Sequence, residues 1–256
     1  MKRLALLTSI IILPGISFAQ GEQDAQKARS VIEAAIKARG GDRYLNVKTE
    51  VGRGQYTPFD KGVPTIPAPF VDYIVHPDKE RTEFGKKKQR FIQTNVGGAG
   101  WIYDGQAESI KDQSEEQTKQ FLEGMRFNLD YTLRKGWREP EAKLSYIARK
   151  EIWRNKFAEG VEIEYKDGRK VSIFFDYSTH LPLMFSYTRE TPEGGTTKEE
   201  DRFFQWVDYS GIKFPNIIDH YRDGIQTSRI NYENVEFNSP VPDSLFAKPA
   251  TVKEIK

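Results

Sequence analysis

The chain has no cysteine. That absence excludes disulfides, thiol chemistry, thiolate zinc sites and the acylated cysteine of a lipoprotein anchor. It is compatible with an oxidising compartment, where nothing is present to mispair. Histidine is scarce too, with His76, His180 and His220 the only three. No two of them stand at i, i+2 or i, i+4, so no pair of imidazoles is set up to share a metal. An excess of either charge is also missing. The 39 Lys and Arg face 37 Asp and Glu, and two of the basic residues, Lys2 and Arg3, belong to the extreme N-terminus. Such a balance excludes the clustered basic surface of a nucleic-acid binder, and Lys86-Lys87-Lys88 reads as a solvated hairpin tip.

Catalytic signatures are equally thin. Gly97-Gly98-Ala99-Gly100 precedes no helix and no GK[ST], so it reads as hairpin or bulge glycine rather than a phosphate cradle. No G-x-S-x-G elbow occurs. Adjacent strand residues point to opposite faces, so Asp219-His220 reads as a surface polar dipeptide rather than a base and its orienter. The acidic clusters Glu115-Glu116 and Glu199-Glu200-Asp201 read as solvated element ends. No catalytic residue, metal site or cofactor is expected.

What is present begins with a leader. Lys2 and Arg3 precede the apolar run Leu4 to Ile12, then Pro14 and Gly15, and Ser17-Phe18-Ala19 places small residues at −3 and −1 of a cleavage site. A signal peptide over residues 1–19 is expected, with cleavage after Ala19 and release of a soluble chain into the periplasm of a Gram-negative-type envelope. The run is too short to span a bilayer. Residues 20–256 then form one domain, monomeric on this reading, since no repeat, linker or low-complexity tract divides them.

That domain opens with a helix over 24–39. Asp24 stands at its start, Ala28, Val31, Ile32, Ala35 and Ile36 share one face, and Gly40-Gly41 ends it. Extended segments follow from Val47 onward, punctuated by Pro77-Asp78, Gly85-Lys86, Gly97-Gly98 and Asp104-Gly105. Val161, Ile163 and Tyr165 alternate with charged residues, and Asp167-Gly168 turns into Val171, Ile173 and Phe175. Ten to twelve antiparallel strands are expected.

A second helix interrupts them at about 114–136. Ser114 and Gln117 make a capping box, and a break is expected near Gly124. Phe121, Leu122, Met125, Leu129 and Leu133 share its apolar face, which Phe127 and Tyr131 widen. The fold expected is a mainly β domain with two helices. Its sheet is strongly curved, or an unclosed β-barrel, and the N-terminal helix and an inserted lid helix cover it. Trp101, Tyr103 and the apolar helix residues are the candidates to line an internal cavity.

Three segments resemble the LolA/LolB-like envelope proteins, in the branch described as outer membrane lipoprotein-sorting proteins. They are Ala38-Arg39-Gly40-Gly41 with Leu45, Val47-Lys48-Thr49, Gly52 and Gly54; Trp101-Ile102-Tyr103-Asp104-Gly105; and Tyr232 and Val235-Glu236-Phe237-Asn238 leading to Asp243-Ser244-Leu245-Phe246. The resemblance implies an unclosed barrel with a helical lid over an apolar cavity that holds acyl chains of lipoproteins or other lipids. It also implies partners in an inner- or outer-membrane complex, and an arginine on the early strands that holds the lid, for which Arg53 is the candidate. A structural or protein-interaction module with a solid core is the alternative.

Overall fold

The computed structural model describes residues 15–191 and 194–255. The expected leader therefore lies outside the described residues, apart from positions 15–19, which open the first helix. Helix α1 spans Gly15–Arg39, so Asp24 sits inside it rather than capping it. Its C-terminal end is as expected. Gly41 donates to the carbonyl of Ile36 at 2.9 Å, with Gly40 and Gly41 both at positive φ. A single further turn, α2 (Asp42–Leu45), carries the chain into the sheet.

Fourteen strands form that sheet: β1 (Thr49–Asp60), β2 (Val63–Pro64), β3 (Ala68–Val75), β4 (Lys79–Phe84), β5 (Phe91–Val96), β6 (Ala99–Asp104), β7 (Ser109–Asp112), β8 (Lys143–Trp153), β9 (Lys156–Glu164), β10 (Lys170–Asp176), β11 (Pro182–Glu190), β12 (Thr196–Tyr209), β13 (Ile212–Arg222) and β14 (Ile225–Phe237). Two more than the upper expectation are present, because the short β2 and β7 carry almost no alternating pattern. Their order is β7-β6-β5-β4-β3-β1-β14-β13-β12-β11-β10-β9-β8, with β2 beside β1, and every described pair is antiparallel. The last strand returns beside the first, and β7 and β8 stay unpaired to each other, so the sheet does not close into a barrel.

Between those two edges the chain leaves the sheet for a helical insertion. Helix α3 (Glu115–Arg126) starts at the expected capping box: Ser114 Oγ accepts from the Gln117 N–H at 3.2 Å, and Gln117 Oε1 from the Ser114 N–H at 2.9 Å. The break falls after Phe127 rather than at Gly124. Asn128 stops α3 by donating to the carbonyls of Gly124 and Met125, and caps α4 (Leu129–Arg134) by accepting from the Tyr131 N–H at 2.7 Å.

The two halves of the sheet are covered differently. Over β8–β13, α1 and α4 make a solid core. Ala28, Val31, Ile32 and Ile36 meet Val161, Ile163, Ile173, Phe185 and Phe203, and Leu133 and Trp137 close the layer. Over β1 and β3–β6 the covering is thinner: α3 touches the sheet at β6, and α4 reaches β1 through Arg134. The opposite face of that half is strapped by the C-terminal segment. Arg81 donates to the Leu245 carbonyl at 2.8 Å, Trp101 Nε1 donates to that of Phe246 at 3.0 Å, and Lys248 pairs with Asp112 at 2.7 Å.

Candidate functional site

The uneven covering leaves a cavity of about 640 Å³ beneath α3, within the size range of pockets for small ligands. Phe121 and Met125 of α3 and Leu129 of α4 roof it. Phe203, Phe214, Ile218, Ile230, Tyr232 and Ile74 supply apolar wall from four strands. Ile74, Ile218 and Ile230 are only half-buried, because they face open space rather than a packed neighbour.

Strand parity sets which residues reach this space. The register runs Phe237↔Glu50↔Ile74↔Glu80↔Asn95↔Gly100, so these positions share one row on the inner face. Two residues along lies the row Gly52↔Asp72↔Thr82↔Gln93. Glycine is required at 52 because a Cβ there would stand 2.6 Å from the Tyr232 ring, which lies across β1 and stacks edge-on with Phe70 and Phe214. At Gly54 a Cβ would come within 1.9 Å of the Asn231 carbonyl oxygen. The two glycines let β14 press against β1.

Polar groups occupy the rest of the wall. Glu50 holds His76 Nε2 at 2.8 Å and has Arg134 at 3.9 Å. His220 meets Asp201 at 2.5 Å across β12–β13. Burial opposes the charged imidazole, yet the Asp201 carboxylate raises His220 above its usual value. Asp130 takes hydrogen bonds from Arg39 at 2.5 Å and from the Tyr44 hydroxyl at 2.7 Å. Its own burial notwithstanding, Arg39 and Tyr44 hold it below the carboxylate range. Asp72 accepts from Thr82 at 2.8 Å. Burial, and then the nearby Glu80 carboxylate, push Asp72 well up, and burial raises Glu80 to about 7. Among the described residues no group of three or more His, Asp or Glu is placed to hold a metal ion.

The sequence candidates divide three ways. Phe121, Met125 and Leu129 line the cavity. Leu133 and Phe127 lie in the solid core, the latter stacked on Tyr187 and 4.1 Å from the Arg169 guanidinium, while Leu122 is exposed. Tyr131, half-buried, turns its hydroxyl to Glu139 at 2.6 Å. Trp101 and Tyr103 stand on the outer face, opposite Thr94 and Ile92, because they have the other parity from the cavity rows. Arg53 is also an outer-face residue, paired with Glu236 at 2.9 Å and 43% exposed. Arg39 meets the inserted helices through Asp130 and Arg169 through Glu123, while Arg134 of α4 itself reaches the Val47 carbonyl.

Asp219-His220 also differs from expectation. The two do point to opposite faces, but neither is a surface group: Asp219 is buried beneath a two-pronged Arg229 contact, and His220 lines the cavity. Asp201 likewise leaves its solvated cluster for the cavity wall. Period-two reading places such residues on a face but does not say that a helix roofs it. Glu50, Asp72, Glu80 and His76 carry no signal beyond that alternation.

Two solved structures share this architecture. One is described as an outer membrane lipoprotein-sorting protein domain from Vibrio parahaemolyticus, with TM-score 0.53 and 11% identity over 86% of this chain and 97% of the other. The second is a LolA superfamily protein from Nitrosomonas europaea, with TM-score 0.53 and 13% identity over 86% and 97%. No family model matches the sequence, and no curated protein does. The likeness is one of fold: mainly β, open, helix-covered, LolA-like.

Proposed function

We propose that this chain is a periplasmic carrier or sensor that takes the hydrocarbon chain of a lipid or lipoprotein into the cavity beneath α3, without covalent chemistry. One observation carries the reading. A space of about 640 Å³ is bounded on one side by Phe121, Met125 and Leu129 and on the other by Phe214, Ile218 and Ile230. A pocket of that size with adaptable Met and aromatic walls suits a flexible apolar guest. The solid-core alternative describes the half under α1 and α4, but not this half.

The leader pattern of residues 1–19 supports export, and residues 20–256 make up the exported domain in this reading. Among the described residues no helix is long and apolar enough to cross a membrane. The two structures of like fold support a lipid-related role through their descriptions, and a membrane complex that loads or unloads the cavity follows from that role.

The test is to purify the chain from its own envelope, extract it, and identify bound lipid by mass spectrometry. Displacement of a fluorescent acyl probe is measured in parallel. Co-purifying lipid and saturable displacement are expected. Recovery of no lipid together with no displacement would sink the proposal.

A further inference from the structure

The cavity is not the uniformly apolar space that an acyl chain alone would call for. Five carboxylates border it: Glu50, Asp72, Glu80, Asp130 and Asp201. Three are answered from within the protein, Glu50 by His76 and Arg134, Asp130 by Arg39, and Asp201 by His220. Asp72 and Glu80 are not. Among the described residues neither forms an ion pair with lysine or arginine, and Asp72 has only the Thr82 hydroxyl as a side-chain partner. They are diagonal neighbours on the inner face, since Ile74↔Glu80 and Asp72↔Thr82 are successive same-face pairs of β3 and β4.

A second observation falls at the same place. Asn95 stands directly across from Glu80 on β5, 1% exposed, and neither its amide oxygen nor its amide nitrogen has a hydrogen-bond partner. Buried polar groups in proteins are nearly always satisfied. Here two carboxyl groups and an unpartnered amide share one inner-face patch. Asp72, only 9% exposed, has the Thr82 hydroxyl, and Glu80 has His76 nearby, but that imidazole is already bonded to Glu50. The wall continues from this patch into Tyr232, Ile230 and Ile218.

We infer that the cavity selects an amphiphile with a cationic amine head, the ammonium seated between Asp72 and Glu80 and the hydrocarbon chain running along Ile230, Ile218 and Phe214 beneath Met125. An ammonium has three donors and no acceptor. The two carboxylates and the Asn95 amide oxygen offer three acceptors. Charge-assisted hydrogen bonds to carboxyl groups as buried as Asp72 are stronger than neutral ones. Burial raises both Asp72 and Glu80, so arrival of a cation would drive a proton off. The inference rests on the carrier reading and names the class of ligand.

The experiment compares dodecylammonium, dodecanoate and dodecyl maltoside, each below its micelle concentration, on the delipidated full chain. Dodecylammonium is expected to bind tighter than the other two by about tenfold or more. In D72N/E80Q the ratio of the ammonium and maltoside constants should fall to about one, and E80Q alone should move it part of the way. Calorimetry in buffers of different ionisation enthalpy near pH 7 should show proton release on binding the ammonium, and little on binding the maltoside. Equal binding of all three to the unsubstituted chain overturns the inference while leaving the carrier reading standing. So does an ammonium preference that survives D72N/E80Q. Binding of none of the three overturns both.

Discussion

Arg39 and Asp130, separated by 91 positions in the chain, meet at 2.5 Å and join the end of α1 to the start of α4. Arg39 is 1% exposed, lies 4.0 Å from the centre of the Tyr44 ring, and also receives Asp130 through the Tyr44 hydroxyl's hydrogen bond to the same carboxylate oxygen. The contact fixes where α4 sits, and α4 in turn fixes where α3 begins to roof the cavity.

Breaking this pair from one side leaves a buried charge alone. D130N is therefore expected to destabilise the protein by about 3 kcal/mol, as removal of one member of a buried ion pair does. Urea unfolding measures it. A change within a few tenths of a kcal/mol would show that the contact holds nothing.

The cavity carboxyls set a pH dependence. Burial raises Asp72 and Glu80 above their unfolded values, Glu80 to about 7. The folded chain thus keeps protons that the unfolded chain releases, and their contribution is full in acid and lost as pH rises through the folded values, about 7 for Glu80. His220, raised by Asp201 against its burial, acts the same way: stability present below its unfolded value is lost as pH rises through the folded one. Asp130, held low, works oppositely, contributing above its unfolded value and losing that contribution in acid. Tm should fall from pH 5 to pH 8 by roughly 3 °C or more, and E80Q should flatten the fall. Tm rising over that range in the unsubstituted chain would contradict this account.

The inserted segment divides into core and roof, and substitutions should report the division. Leu133, fully buried between α1 and the sheet, should cost about 3 kcal/mol as L133A. Met125 roofs the cavity, so M125A should cost under about 1 kcal/mol while altering the affinity of an acyl probe. Equal stability losses with no change in probe affinity would mean that Met125 is core.

Trp101 ties the C-terminal segment to the outer face through its 3.0 Å bond to the Phe246 carbonyl. W101F keeps most of the ring contact and removes the donor, for about 1 kcal/mol. Faster tryptic cleavage after Lys253 is expected, read by mass spectrometry. Probe binding should be unaffected, because the residue faces away from the cavity; a shift in affinity would place it in the wrong layer.

Local pattern was sufficient for much of this fold. The spacing of Ala28, Val31, Ile32, Ala35 and Ile36, the alternation at Val161, Ile163 and Tyr165, and the Ser114–Gln117 box each act within a few residues of themselves. Each is legible because its cause is local. The break in the inserted helix is the instructive near miss. It comes from Asn128, whose side chain ends one helix and starts the next, and not from the flexibility of Gly124.

The cavity was a different matter. Trp101 and Glu80 are both strand residues next to others of mixed character, and nothing near them in sequence says which face α3 will roof and which the C-terminal segment will strap. That choice depends on registers linking β1, β3, β4 and β5, and on contacts such as Arg39–Asp130 that join distant parts of the chain. A one-residue change of register exchanges the two faces. So the sequence specified an open, helix-covered β domain, while only the assembled sheet decided that carboxylates rather than Trp101 and Tyr103 would border its cavity.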